Sequence, residues 1–158
     1  MRIIEQTQPP KTQAARQTSL HLSVIFTGQS STRAALRKAA QLAGGLDALV
    51  RVIVLKAVPY PLPIDTPPVA MRFDRERMLA FVSENSDDAS VLMCYCRDEV
   101  DALLYLLQIN LHLFRSKSIV VIGGKKRRWL PTKEQLIARK LEEAGHRVVF
   151  VDSGGNHA

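Results

Sequence analysis

The chain has 158 residues, 46% hydrophobic and 23% charged, an ordinary composition for one soluble globular domain. No uninterrupted apolar run approaches the ~18–20 residues of a bilayer crossing, and the polar start from Met1 to Ser19 has no apolar secretion core. The expectation is therefore a cytoplasmic protein with no membrane partner. The formal charge of +7 arises from 22 Lys+Arg against 15 Asp+Glu, and it is local. Between Ala102 and Lys133 lie seven bases (Arg115, Lys117, Lys125, Lys126, Arg127, Arg128, Lys133) and no acid, leaving 15 bases and 15 acids elsewhere.

Residues 1–19, dominated by Gln, Thr, Pro and Ala without periodicity, read as a flexible tail. Leu22 to Thr27 (LSVIFT) is a short apolar run closed by Gly28, the first expected strand. Ser30, Ser31 and Thr32 are each able to cap the helix that follows. Over Arg33 to Leu46, Leu36, Ala39, Ala40 and Ala43 share one side. Arg33, Arg37, Lys38 and Gln41 share the other, and Gly44-Gly45 is expected to end the helix. Val50 to Val58 reads as the second strand.

Pro59, Pro61, Pro63, Pro67 and Pro68 then exclude regular structure from a loop. Ala70 to Ser83 is expected to be helical, with Met71, Arg75, Met78, Leu79 and Val82 on one face. Ala89 to Cys96 is the third strand. Asp98 to Phe114 is a mostly apolar helix with one polar stripe of Asp101, Tyr105, Gln108 and His112. Ser118 to Ile122 is the fourth strand. Pro131 starts a helix over Thr132 to Ala144 whose inner face carries Leu136, Ile137 and Leu141. Gly145 caps it, Arg147 to Val151 is the fifth strand, and residues 154–158 are a C-terminal tail.

Five short strands thus alternate with helices. Apolar runs without alternation imply strands covered on both faces, hence a parallel sheet. Right-handed crossovers place helices on both sides of it. The expected architecture is a single α/β domain over residues 20–153, an open doubly wound parallel sheet.

In such sheets ligands bind at the carboxyl ends of the strands, where the order of strand growth reverses. If the first and fourth strands are neighbours there, Thr27-Gly28-Gln29 and Gly123-Gly124-Lys125 face each other. Glycine turns let backbone amides approach a ligand, and the helices beginning at Thr32 and Thr132 add positive dipole. Lys125, Lys126, Arg127 and Arg128 would attract an anion. The same residues fit equally a pair of tight turns and a solvated loop.

Other chemistry finds little support. Neither glycine-rich phosphate fingerprint occurs, and no nucleophile elbow does. Cys94 and Cys96 point to one face of a strand and read as buried reduced thiols. With four scattered His they make no metal set. Asp87-Asp88 and Asp98-Glu99 suit helix capping and loop solvation. No acid, base and nucleophile set assembles, so neither catalysis nor a metal is expected. Trp129 is the one aromatic beside the bases, so no stacking platform for nucleic acid is visible.

The run from Val24 to Leu36 (VIFTGQSSTRAAL) resembles the opening of the universal stress protein family, in which a strand ends Asp-Gly-Ser and a Ser-x-x-Ala-Leu helix start follows. Val54-Leu55-Lys56-Ala57-Val58-Pro59 looks like that family's second strand entering a proline-bearing loop. Val121-Ile122-Gly123 is similar to the Val-x-Gly end of its fourth strand. The resemblance spans Leu22 to Asp152. It implies a five-stranded sheet of order 3-2-1-4-5 and a homodimer paired through the last strand, here Arg147-Val148-Val149-Phe150-Val151. It also implies one branch that binds ATP and another that does not.

In the binding branch an Asp ending strand one meets the nucleotide, and Thr27 stands there. The backbone position that contacts adenine corresponds to Ala57. That branch carries Gly-x-x-Gly after strand four and, beyond a spacer, Gly-Ser or Gly-Thr. Gly123 matches the first glycine, Lys126 replaces the second, and Pro131-Thr132 begins the helix instead. The resemblance thus implies a non-enzymatic stress-response or signalling domain without the usual ATP mode and without a cofactor. Two alternatives stand beside it. One is a nucleotide- or phosphate-binding switch through the Gly123–Thr132 loop. The other is an adapter for nucleic acid or an acidic partner.

Overall fold

A computed structural model of the chain describes residues 1–6, 20–46, 48–65, 69–114 and 118–154. In chain order the elements are β1 (Arg2–Gln6), β2 (His21–Ile25), α1 (Gln29–Leu46), β3 (Leu49–Ala57), α2 (Val69–Asn85), β4 (Ser90–Cys96), α3 (Glu99–Phe114), β5 (Ile119–Gly124), α4 (Lys133–Glu143) and β6 (Arg147–Asp152). They build one sheet of order β1-β4-β3-β2-β5-β6. The pairings of β2 with β3, β3 with β4, β2 with β5 and β5 with β6 are all parallel.

The five expected strands thus take the order 3-2-1-4-5, but among the described residues the sheet has six strands rather than five. The sixth, β1, comes from the segment expected to be a tail. It runs antiparallel along β4, from Arg2 opposite Tyr95 to Gln6 opposite Val91. Without it, the outer edge of β4 would present a row of unpaired backbone donors and acceptors. Its sequence, RIIEQ, has only two apolar residues and no alternation, so nothing in its pattern signalled a strand. The remainder of the expected N-terminal tail, most of the C-terminal tail, and Arg115 and Lys117 lie outside the described residues.

Side chains leaving the central strands alternate between two apolar layers. Val24, Val52, Val54 and Val121 join Ala35, Leu36, Ala39, Phe81 and Val82 of α1 and α2. Ile25, Ile53, Val120 and Ile122 join Leu103, Leu107, Ile137 and Leu141 of α3 and α4. The central strands are buried on both faces, as continuous apolar runs require. Cys94 and Cys96 are free, buried and turned to the second layer. Burial pushes the Cys96 thiol up to about 11 and raises Cys94 as well.

Some helical details differ from expectation. Helix α1 starts four residues early and runs through Gly44-Gly45 to Leu46. Ala40 is exposed and Ala35 buried in its place. Leu136 is 48% exposed, because the inner phase of α4 falls on Ile137, Ala138 and Leu141. Asp98 accepts hydrogen bonds from the Val100 and Asp101 amides at 2.8 and 2.9 Å, capping α3. Those bonds, with the Asp101 amide foremost, hold its carboxyl below the usual range. After β3, residues 58–65 are irregular. Arg97 fixes them by donating to the carbonyls of Val58 and Leu62 (2.7 and 2.8 Å) and lying 4.0 Å over the Tyr60 ring. Among the described residues no helix is long and apolar enough to cross a membrane.

Candidate functional site at the carboxyl edge of β2 and β5

Register decides what meets at the strand ends. Leu22 lies opposite Ile119 and Ile25 opposite Ile122, so the turns leaving β2 and β5 emerge side by side. This is the reversal point of the sheet, since β3 and β4 lie on one side of the pair and β6 on the other.

The two turns are bonded to each other. Thr27 Oγ1 donates to the Gly123 carbonyl at 2.7 Å, and the Thr27 amide donates to Thr32 Oγ1 at 3.2 Å. The Thr32 amide returns to the Gly28 carbonyl at 2.8 Å. Thr32 has no exposed surface. Gly28 takes φ of 151°, which a side chain rarely tolerates, and so lets the chain swing from β2 into α1. At Gly123 the need is space: a Cβ there would sit 1.9 Å from the Ser31 carbonyl oxygen. The first turn of α1 therefore rests directly on the backbone of β5. Gly124 is similarly hemmed in, with Glu134 Cβ 2.8 Å from its Cβ position.

Beyond Gly124 the chain folds back onto the start of α4. Thr132 and Gln135 form a capping box: the Gln135 amide donates to Thr132 Oγ1 (3.4 Å) and Gln135 Oε1 accepts from the Thr132 amide (3.0 Å). Gln135 also grips Arg127, accepting from its amide at 3.0 Å and donating to its carbonyl at 3.2 Å. Thr132 Oγ1 donates to the Lys125 carbonyl at 3.3 Å. The segment leaving β6 crosses the end of β5: the Ser153 amide donates to the Gly124 carbonyl at 2.9 Å, and Ser153 Oγ lies 3.0 Å from Ser31 Oγ. Asp152 Oδ1 accepts from the amides of Gly154 (2.9 Å) and Lys126 (3.3 Å). The Gly154 amide first, then that of Lys126, holds the Asp152 carboxyl below the usual carboxylate range.

The amides of Lys126, Arg127 and Thr132 thus already have protein acceptors. The side chains of Lys125, Lys126, Arg127 and Arg128 are exposed and form no ion pair among the described residues. Of the candidate residues, Thr27, Gly28, Gly123, Gly124, Lys125, Lys126, Arg127 and Thr132 come together in this bonded network. Gln29 opens α1 with an exposed side chain. Ala57 is exposed at the end of β3, one strand away. Arg147 to Val151 lie in β6, whose one strand neighbour among the described residues is β5.

Four participants were not among the site residues expected from the sequence: Ser31, read only as a helix cap, and Gln135, Asp152 and Ser153. The Thr132-x-x-Gln135 spacing was a legible capping signature. Ser31 meets Ser153 from the far end of the chain, and Asp152 and Ser153 reach the exit of β5 at Lys126 and Gly124, contacts that no local pattern announces.

Solved structures share this fold. The chain superposes on a universal stress protein from Archaeoglobus fulgidus with a TM-score of 0.56 at 10% identity, covering 84% of this chain and 93% of that one. The fold is that of the universal stress proteins. The universal stress protein of the same organism in complex with dAMP gives 0.53 at 10% identity, over 85% and 99% of the two chains. A universal stress protein in complex with cAMP gives 0.52 at 17% identity, over 87% and 99%. No family model and no curated protein matches the sequence. Relative to the five-stranded universal-stress sheet implied by the sequence resemblance, β1 is an addition at the β4 edge.

Proposed function

We propose that the chain is a non-catalytic stress-response or signalling domain of universal-stress type whose reversal-point crevice is closed by its own groups. ATP is then not held there in the usual family mode. The observation that carries this reading is the 2.7 Å bond from Thr27 Oγ1 to the Gly123 carbonyl, at the mouth of the crevice. A carboxylate at that position would accept bonds from a ligand, whereas the threonine hydroxyl donates inward. Ser31 resting on Gly123 and the donors already engaged by Asp152 and Gln135 point the same way.

The outer edge of β6, which pairs with no second strand among the described residues, suits the homodimer that the resemblance implies, since an unpaired edge invites strand pairing. Sedimentation at tens of micromolar is expected to give a dimer; a strict monomer would remove that part of the reading.

A second reading has its own support: four exposed cations stand beside the crevice, and two structures of this fold hold cAMP and dAMP. In that reading a phosphate is held by the basic side chains and Thr132. Thermal melting with millimolar ATP, cAMP and dAMP separates the two, because binding to the native state raises the melting temperature. No shift supports the sealed crevice. A shift abolished by neutralising Lys125 to Arg128 supports the second reading, and a shift that survives neutralisation overturns both.

A further inference from the structure

The tip of the loop between β5 and α4 combines two features that nothing in the crevice accounts for. Lys125-Lys126-Arg127-Arg128 are all exposed, and directly after them Trp129 is 97% and Leu130 72% exposed. A fully solvated Trp-Leu pair is an unusual thing for a soluble surface to carry. The loop is not loosely held. Gln135 bonds both the amide and the carbonyl of Arg127, and Thr132 bonds the Lys125 carbonyl, so the backbone leading into the tip is held in place. The acid beside it, Asp152, directs Oδ1 at the Lys126 and Gly154 amides, and the Lys126 charge acts on its carboxylate without a salt bridge among the described residues.

We propose that this tip docks on an anionic lipid surface, the four cations meeting headgroups while Trp129 and Leu130 enter the interface. Tryptophan concentrates at the headgroup level because its ring is amphipathic. Stable association with a bilayer takes two signals, and a polybasic patch beside an apolar insertion supplies both. A backbone held in place up to the tip lowers the ordering cost of binding. Lying on a membrane in this way needs no spanning segment. Nucleic acid fits the tip less well: one aromatic ring offers one stacking surface, and Leu130 has nothing to offer a base or a phosphate. The inference does not depend on whether the crevice binds nucleotide.

Trp129 is the single tryptophan of the chain, so its emission reports the tip alone. The full-length protein is mixed with phosphatidylcholine vesicles with and without phosphatidylserine. The expected result is a blue shift and co-sedimentation with phosphatidylserine only, both reversed by salt. Lys125→Ala/Lys126→Ala should lower the partition coefficient about 25-fold, at about five-fold per cation. Leu130→Ser should weaken binding and reduce the blue shift, with far-UV circular dichroism unchanged in both variants. An unshifted emission with phosphatidylserine vesicles overturns the proposal, as does quenching by oligo(dT) with no response to lipid, which would make the tip a nucleic-acid contact.

Discussion

Two neighbouring stretches of the β5–α4 connection behave in opposite ways. Gly123-Gly124 are buried, with Ser31, Glu134 and Phe150 against them, and no side chain would fit. Lys125 to Leu130, the very next residues, are exposed throughout. In a phosphate-wrapping loop the glycines serve a ligand; here they serve the approach of α1 and α4 to the sheet. The glycines therefore belong to the packing of the fold, and the charges and the apolar pair are the part of the loop left at the surface.

Substitutions along that stretch should grade accordingly. Gly123→Ala forces a Cβ onto backbone and is expected to cost about 3 kcal/mol or more in urea unfolding; a fully stable variant would break the contrast at once. Thr27→Val leaves the Gly123 carbonyl without its partner and should cost about 1–2 kcal/mol, largely restored by Thr27→Ser. Gln135→Ala removes the capping partner and the grip on Arg127. A loss of about 1 kcal/mol is expected, together with faster amide exchange at Arg127.

Acid should loosen the Asp152 clamp more gently. Its folded pKa lies below the unfolded one, so its contribution is complete above the ordinary carboxylate value and fades as pH falls through the folded value. Protection of the Lys126 and Gly154 amides, taken relative to their intrinsic exchange rates, should fall in that acid range, and in Asp152→Asn it should lose this dependence. At the tip, Arg128→Ala should leave stability within about 0.5 kcal/mol of the native chain, since its side chain is solvated.

The parallel core was legible because its physics is local. Runs such as Val52-Ile53-Val54 and Val120-Val121-Ile122 are buried on both faces, and unbroken apolarity records that directly. Strand β1 was not legible: its stability comes from the edge of β4, far away in sequence, rather than from Arg2–Gln6 themselves. The site divides in the same way. Thr27, Gly28 and Gly123 announced a junction of two turns, and the register brings them together. The bonds that tie this junction to the segment leaving β6 run through Ser31, Asp152 and Ser153, whose partners Ser153, Lys126 and Gly124 belong to other parts of the chain. The exposure of Trp129 and Leu130 also had no local signature, since two apolar residues before a helix could equally have packed inward.

The sealed crevice is tested most directly by following backbone amide resonances of the full chain during titration with ATP. The account predicts that Thr27, Thr32, Gly123 and Ala57 keep their chemical shifts up to millimolar ligand. Saturable shifts at those four positions would place nucleotide between the two turns and contradict it.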